Sequence, residues 1–127
     1  MPDDAVRRAA RTYGAAADHY TRPALGFWDR FGAATVSRLE LAAGASVLDL
    51  CCGAGASAIP AGHAVGPSGR VLGIDVAAPQ LELARARAAR EGLGKVGFRQ
   101  GTRPVLGCRT ATSTRSCACS GCSSRRI

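Results

Sequence analysis

Two carboxylates and two glycines hold the most specific chemistry in this chain. Leu48-Asp49-Leu50-Cys51-Cys52-Gly53-Ala54-Gly55 runs from a short apolar segment into a Gly-x-Gly turn. A second apolar segment ends at Asp75, twenty residues past Gly55. Glycines two apart let the backbone pass close to a ligand, and the start of a following helix offers free N–H groups. A carboxylate at the end of the next strand accepts hydrogen bonds from both hydroxyls of a ribose. Gly53, Gly55 and Asp75 therefore point to a nucleoside-containing cofactor lying across the carboxyl ends of two strands.

Asp49 decides which cofactor. A dinucleotide such as NAD sets a pyrophosphate on the glycine turn, and a carboxylate four residues before Gly53 repels it. A cofactor that is cationic there is attracted instead. S-adenosylmethionine carries an α-amino group and a sulfonium, so the sign of Asp49 favours it over NAD.

These residues need strands and helices to hold them. Residues 3–18 and 23–41 have helical composition. Ala5, Ala9, Ala10, Tyr13 and Ala17 form a small apolar stripe on the first, and Pro23 suits the start of the second. Ser46 to Cys51 reads as a buried strand, and Ala54 to Ala64 as a small-residue helix with Pro60 tolerated only in its first turn. Gly66 to Gly69 is a turn, Arg70 to Asp75 a second buried strand, Pro79 to Arg90 a helix, and Lys95 to Arg99 a weaker third strand. Strands alternating with helices imply a parallel sheet with right-handed crossovers.

Val47 to Gly55, followed by Gly73-Ile74-Asp75, resembles the first half of a class I S-adenosylmethionine-dependent methyltransferase. The Asp-Leu-Cys-Cys-Gly-x-Gly form is similar to the ubiquinone/menaquinone-biosynthesis C-methyltransferases. The resemblance covers residues 45–101 and implies a seven-stranded Rossmann-like sheet. It implies Asp49, Gly53 and Gly55 around the methionine part, with Cys51 beside them in the turn, and Asp75 on the ribose. A tyrosine from the preceding helices often closes the pocket in that family, which nominates Tyr13 and Tyr20. Two departures stand out. Cys51 occupies a position that is often glycine, and Thr102 follows Gln100-Gly101 where an acid is expected to contact adenine.

Other polar residues have plainer readings. Asp49 has the alternative of capping a helix or ordering the loop. Cys51 and Cys52 read as small packed thiols, since no His/Asp partner is suggested nearby. His63 reads as a surface or core histidine, and the arginines of 85–90 as a solvated helix face.

The charge and the cysteines are unevenly spread. The net charge of +8 falls largely on residues 102–127, which hold five Arg, four Cys, nine Ser or Thr, and no acid or aromatic residue. Cys108, Cys117, Cys119 and Cys122 offer four thiolates to zinc, but the one-residue gap is tight and no hairpin frames it, so no metal site is expected. A one-base slip near residue 102 accounts for the segment better. Reading Cys108 to Arg126 one base earlier permits LPDGxFDAVxCVFGVFFAP, a turn, an acid and an apolar strand, and Thr102 becomes a permitted Asp. Any Ser/Cys run gives apolar residues under this shift, but the LPDG-x-FDA order is not given so cheaply. As written, the segment holds nothing expected to pack as a strand.

The expected fold is therefore α/β, a doubly wound parallel sheet cut off after about three strands. Residues 1–44 are helices, 45–101 the cofactor-binding core, and 102–127 a frameshifted or disordered tail. The expected activity is methyl transfer to a small-molecule acceptor, in a chain that as written is an inactive, poorly stable fragment. Partners are expected to include no nucleic acid. No run of 18 apolar residues provides a membrane span, and the acids of the first residues argue against a signal peptide, which implies a cytoplasmic protein. The remaining alternatives are a nicotinamide-type Rossmann fragment and a basic zinc- or nucleic-acid-binding tail protein.

Overall fold

The computed structural model describes residues 4–17 and 26–102, together with the backbone of 117–118. Tyr20, Pro23, Cys108, Cys119 and Cys122 lie outside the described residues, so the expectations placed on them have no structural counterpart here.

Three full strands form as the apolar runs require. β1 (Ser46–Leu50), β2 (Arg70–Asp75) and β3 (Val96–Gln100) are joined through α3 (Ala58–Val65) and α4 (Ala78–Arg90). All pair in parallel, with Ser46 opposite Arg70 and Val71 opposite Val96. Among the described residues two helices precede them, α1 (Asp4–Ala15) and α2 (Phe27–Leu39). Burial alternates along the strands: Val47, Asp49, Val71 and Gly73 are buried, whereas Leu48, Leu50 and Leu72 are half-buried. One core cluster joins Val36 of α2 to Val47, Val71 and the small inner face of α3, Ala58, Ala61 and Val65.

The helix expected from Ala54 begins instead at Ala58. Residues 53–57 form the turn, and Pro60 falls in the first turn of α3, where its missing N–H leaves no gap in the helix. The Gly66–Gly69 turn forms as expected, closed by the Gly69 N–H donating to the Gly66 carbonyl at 3.1 Å.

One expectation is corrected. Cys117–Ala118 make a two-residue strand, β4, parallel to β1, with Cys117 opposite Leu48 and Ala118 opposite Asp49. The sheet order is β3-β2-β1-β4, with β1 now internal along this short stretch. A strand edge carries unpaired N–H and C=O groups, and any extended segment that reaches it can pair through its backbone. Reading side chains alone missed this.

α2 approaches the turn before α3 without any side chain between them. A Cβ on Gly32 would lie 2.0 Å from the Ala56 carbonyl oxygen. Arg87 of α4 ties the same helix from outside, donating to Asp29 at 2.8 Å and to Glu91 at 3.3 Å. His63 is exposed and pairs with Glu91 at 2.7 Å, and Arg85 meets Glu82 and the Phe98 carbonyl. Arg85 and Arg87 of α4 are thus engaged in ion pairs and a carbonyl contact within the fold. No helix among the described residues is long and apolar enough to cross a membrane.

Candidate functional site

The chain leaves β1 through an unusual series of backbone conformations. Cys51 has φ +60, Gly53 φ +52 and Gly55 φ +93. The left-handed region is open to glycine but strains a residue bearing a Cβ. Cys51 carries that strain, which explains in physical terms why glycine suits this position. The Cys52 N–H continues the ladder to the Ile74 carbonyl at 3.0 Å. The Gly55 N–H then donates to the Cys52 carbonyl at 2.9 Å, and the Ile59 N–H to Gly55 at 3.0 Å, which starts α3 directly from the turn.

Asp75 organises this turn. One carboxylate oxygen accepts the Gly53 N–H at 2.9 Å and the other accepts the Ala77 N–H at 2.9 Å. Each oxygen keeps a further lone pair, so a ribose can still be held. The Gly101 N–H donates to the Asp75 carbonyl at 3.0 Å, and Gln100 donates its amide to the Val76 carbonyl at 3.0 Å. The ends of β2 and β3 are thereby fixed to each other just before Thr102.

Asp49 lies deeper. It is 1% exposed, and neither carboxylate oxygen has a good hydrogen bond. Burial pushes its pKa up to about 7, the nearby Ala58 N–H pulls it back in part, and the Asp75 carboxylate raises it further. The opposing residue in register is Gly73, which adds no side chain beside it. Cys52 is also buried, and desolvation, then the Asp49 and Asp75 carboxylates, push its thiol far above the usual range. A thiol held protonated is a packing group, as its sequence context suggests.

Asp49, Cys51, Gly53, Gly55 and Asp75 thus meet at the carboxyl ends of β1 and β2. Tyr13 joins them indirectly: its side chain is half exposed, while its carbonyl accepts a hydrogen bond from the Gln80 amide at 3.2 Å. Sequence reasoning missed Gln80, which is 3% exposed. The available signal was a polar residue heading the stripe Gln80, Ala84, Ala88 on an inner helix face otherwise made of Leu81 and alanines. Among the described residues, the buried side-chain atoms with no hydrogen-bond partner are both oxygens of Asp49, Ser57 Oγ and Gln80 Oε1. All belong to this turn, the strand entering it or the helix beside it. Unsatisfied buried polar groups are rare in folded proteins, and here they gather at one place. Within the same residues, no cluster of His, Cys, Asp or Glu is arranged to hold a metal ion.

Comparison with known proteins agrees with this geometry. A family model described as a methyltransferase domain matches residues 47–121. The demethylmenaquinone methyltransferase of Lactococcus lactis is 38% identical over 78 residues, 61% of this chain and 31% of that protein. The nocamycin O-methyltransferase of Saccharothrix syringae is 48% identical over 58 residues, 46% of this chain and 21% of that protein. The aklanonic acid methyltransferase DauC of Streptomyces is 33% identical over 99 residues, 77% and 45% of the two chains. The chain spans less than half the length of each of these relatives. Among solved structures, a SAM-dependent methyltransferase from Aquifex aeolicus matches with a TM-score of 0.61 at 21% identity, over 74% of this chain and 50% of that one. The [4+2]-cyclase SpnF matches with a TM-score of 0.53 at 28% identity, over 62% and 29%. Fold alone therefore does not specify the reaction.

Proposed function

The chain belongs to the methyltransferase-domain family, whose cofactor is S-adenosylmethionine, and from that premise we propose that residues 45–101 bind S-adenosylmethionine for methyl transfer to a small-molecule acceptor. The observation that carries the reading is Asp49, a buried carboxyl with neither oxygen in a good hydrogen bond, beside a glycine turn. An ammonium group supplies the opposite charge and the donors that those oxygens lack. Asp75, with its remaining lone pairs, receives the ribose hydroxyls. Gly53 and Gly55 keep Cβ atoms away from the cofactor, and Cys51 lines the turn. Tyr13 and Tyr20 are proposed, on the family resemblance alone, as the tyrosines that close the pocket.

Bound S-adenosylmethionine supplies an electrophilic methyl group on its sulfonium sulfur. The contribution of this chain is positional: Asp49 orients the amino acid part, Asp75 anchors the nucleoside, and the packed turn excludes water from one side. The acceptor is proposed to be a small molecule, in keeping with relatives named for demethylmenaquinone, nocamycin and aklanonic acid. Nucleic acid is not among the proposed partners, and the proposed compartment is the cytoplasm.

Calorimetric titration of the 127-residue chain with S-adenosylhomocysteine and with NAD tests the reading. Saturable binding of the first and none of the second is expected. Equal affinity for NAD, or no binding of S-adenosylhomocysteine, overturns it.

Residues 102–127 are further proposed to be encoded one base out of frame. The apolar stretch permitted by the shifted frame covers Cys117 and Ala118, the residues that pair with β1. That coincidence supports the reading, because the strand position is kept while its side chains are replaced.

A further inference from the structure

Gln80 is buried with its amide nitrogen committed and its amide oxygen free. The nitrogen donates to the Tyr13 carbonyl at 3.2 Å. A carbonyl can only accept, so this contact fixes which end of the amide faces α1. The oxygen is then forced to the other side, where it has no partner. It sits 3.9 Å from the point that a Cβ on Gly53 would occupy, against the turn on which the cofactor is proposed to lie. Neither role assigned above uses this group: Asp75 binds Gly53 through its N–H, and Asp49 lies on the strand before the turn. An uncharged acceptor in this place selects for a hydrogen-bond donor on the ligand, and leaving it unpaired is unfavourable.

We propose that Gln80 is a further cofactor-positioning residue, its Oε1 accepting a hydrogen bond from a hydroxyl or ammonium donor of the nucleoside cofactor while its Nε2 holds the amide rigid against Tyr13. The proposal rests on the reading of residues 45–101 as the cofactor site. Because the anchor is the backbone of α1, the same side chain couples the seating of that helix to occupancy of the turn. Gly14 of α1 lies against Pro79, the residue before Gln80, with 3.4 Å between the ring and the position of a Gly14 Cβ. The anchor and its helix are therefore in direct contact beside the site.

The test compares wild type, Gln80→Met, Gln80→Glu and Asp75→Ala in the 127-residue chain. Each is titrated with S-adenosylhomocysteine and with 5′-methylthioadenosine, which lacks the amino acid part. Ligand-free melts are recorded alongside. Gln80→Met keeps the volume and removes the acceptor, so about tenfold weaker binding of S-adenosylhomocysteine is expected. Gln80→Glu keeps an acceptor and loses the donor to Tyr13, and is expected to retain binding better than Gln80→Met. An equal loss for methylthioadenosine identifies a ribose hydroxyl as the donor. A loss confined to S-adenosylhomocysteine identifies the ammonium. Unchanged dissociation constants in Gln80→Met, with only the ligand-free melt lowered, would reduce Gln80 to a helix latch and overturn the proposal. If Asp75→Ala still weakens binding in that case, the cofactor-site reading stands without it. No binding by wild type removes both.

Discussion

A carboxyl group that is 1% exposed and lacks a good hydrogen bond must stay protonated or meet a cation. With its pKa raised to about 7, Asp49 is balanced between the two near neutrality. The sign of the linkage follows from that direction. The folded form holds this proton more tightly than the unfolded chain does. The stability it contributes is full below about pH 4 and is lost as pH rises through about 7. A cationic ligand favours the ionised form, so its binding strengthens over the upper part of the same range. Below pH 7, affinity for S-adenosylhomocysteine is expected to fall about tenfold per pH unit, because binding then releases about one proton from Asp49 to the buffer. Titrations between about pH 5 and 7, where an α-amino group stays largely protonated, check this. Asp49→Asn should flatten both the affinity profile and the fall in ligand-free stability. A wild-type profile that is already flat would show that Asp49 does not face the cation. Asp49 and Asp75 were legible in the sequence because strand-end position and charge sign are local properties. Gln80 was not, because its significance depends on Tyr13, 67 positions away along the chain.

At the scale of elements, the existence and parallel pairing of β1, β2 and β3 were legible in their apolar runs and the turns between them, whereas their register was not. What was not legible was how closely α2 would approach. Gly32 reads as a weak point in a helix, since glycine lowers helix propensity by about 1 kcal/mol relative to alanine. In the fold it is the contact surface itself. A Cβ there would meet the Ala56 carbonyl oxygen at 2.0 Å and the Ser57 nitrogen at 3.0 Å, both backbone atoms that cannot rotate away. Gly32→Ala is therefore expected to destabilise the chain by about 3 kcal/mol, the upper end for overpacking, despite its better helix propensity. Gly97→Ala meets nothing within 4 Å and serves as the control, near neutral. Paired thermal melts decide the matter, and equal melting temperatures for Gly32→Ala and wild type would mean that the two elements are not in backbone contact. The consequence reaches the site. Ala56 and Ser57 lead into the Ala58 N–H that faces Asp49, so displacing α2 should also weaken cofactor binding.

For the whole molecule, the weakest joint is the outer edge of β1. Its inner edge pairs with β2 at five positions from Ser46 to Leu50, while among the described residues β4 meets it at Leu48 and Asp49. Leu48, Leu50 and Leu72 are half-buried, so among the described residues apolar surface lies beside a strand edge with little pairing. That combination favours association with other chains over a stable monomer. The sequence showed why the last 26 residues look foreign, through five arginines without an acid, but hid that their backbone still reaches the edge. Backbone pairing is indifferent to side chains; burial is not. On the proposed out-of-frame reading, a one-base shift after Gly101 would replace the Ser/Cys run with apolar residues at the positions that already pair. The frame-restored chain is expected to melt at least about 8 °C higher, a shift corresponding to one or two kcal/mol in a domain of this size. It should also bind S-adenosylhomocysteine more tightly, because β4 lies beside the strand that carries Asp49. Melts of both chains with and without the ligand, together with their light scattering, supply the comparison. If the chain as written melts as sharply, as high and with the same ligand-induced shift, the two-residue β4 is sufficient and the out-of-frame reading loses its physical support.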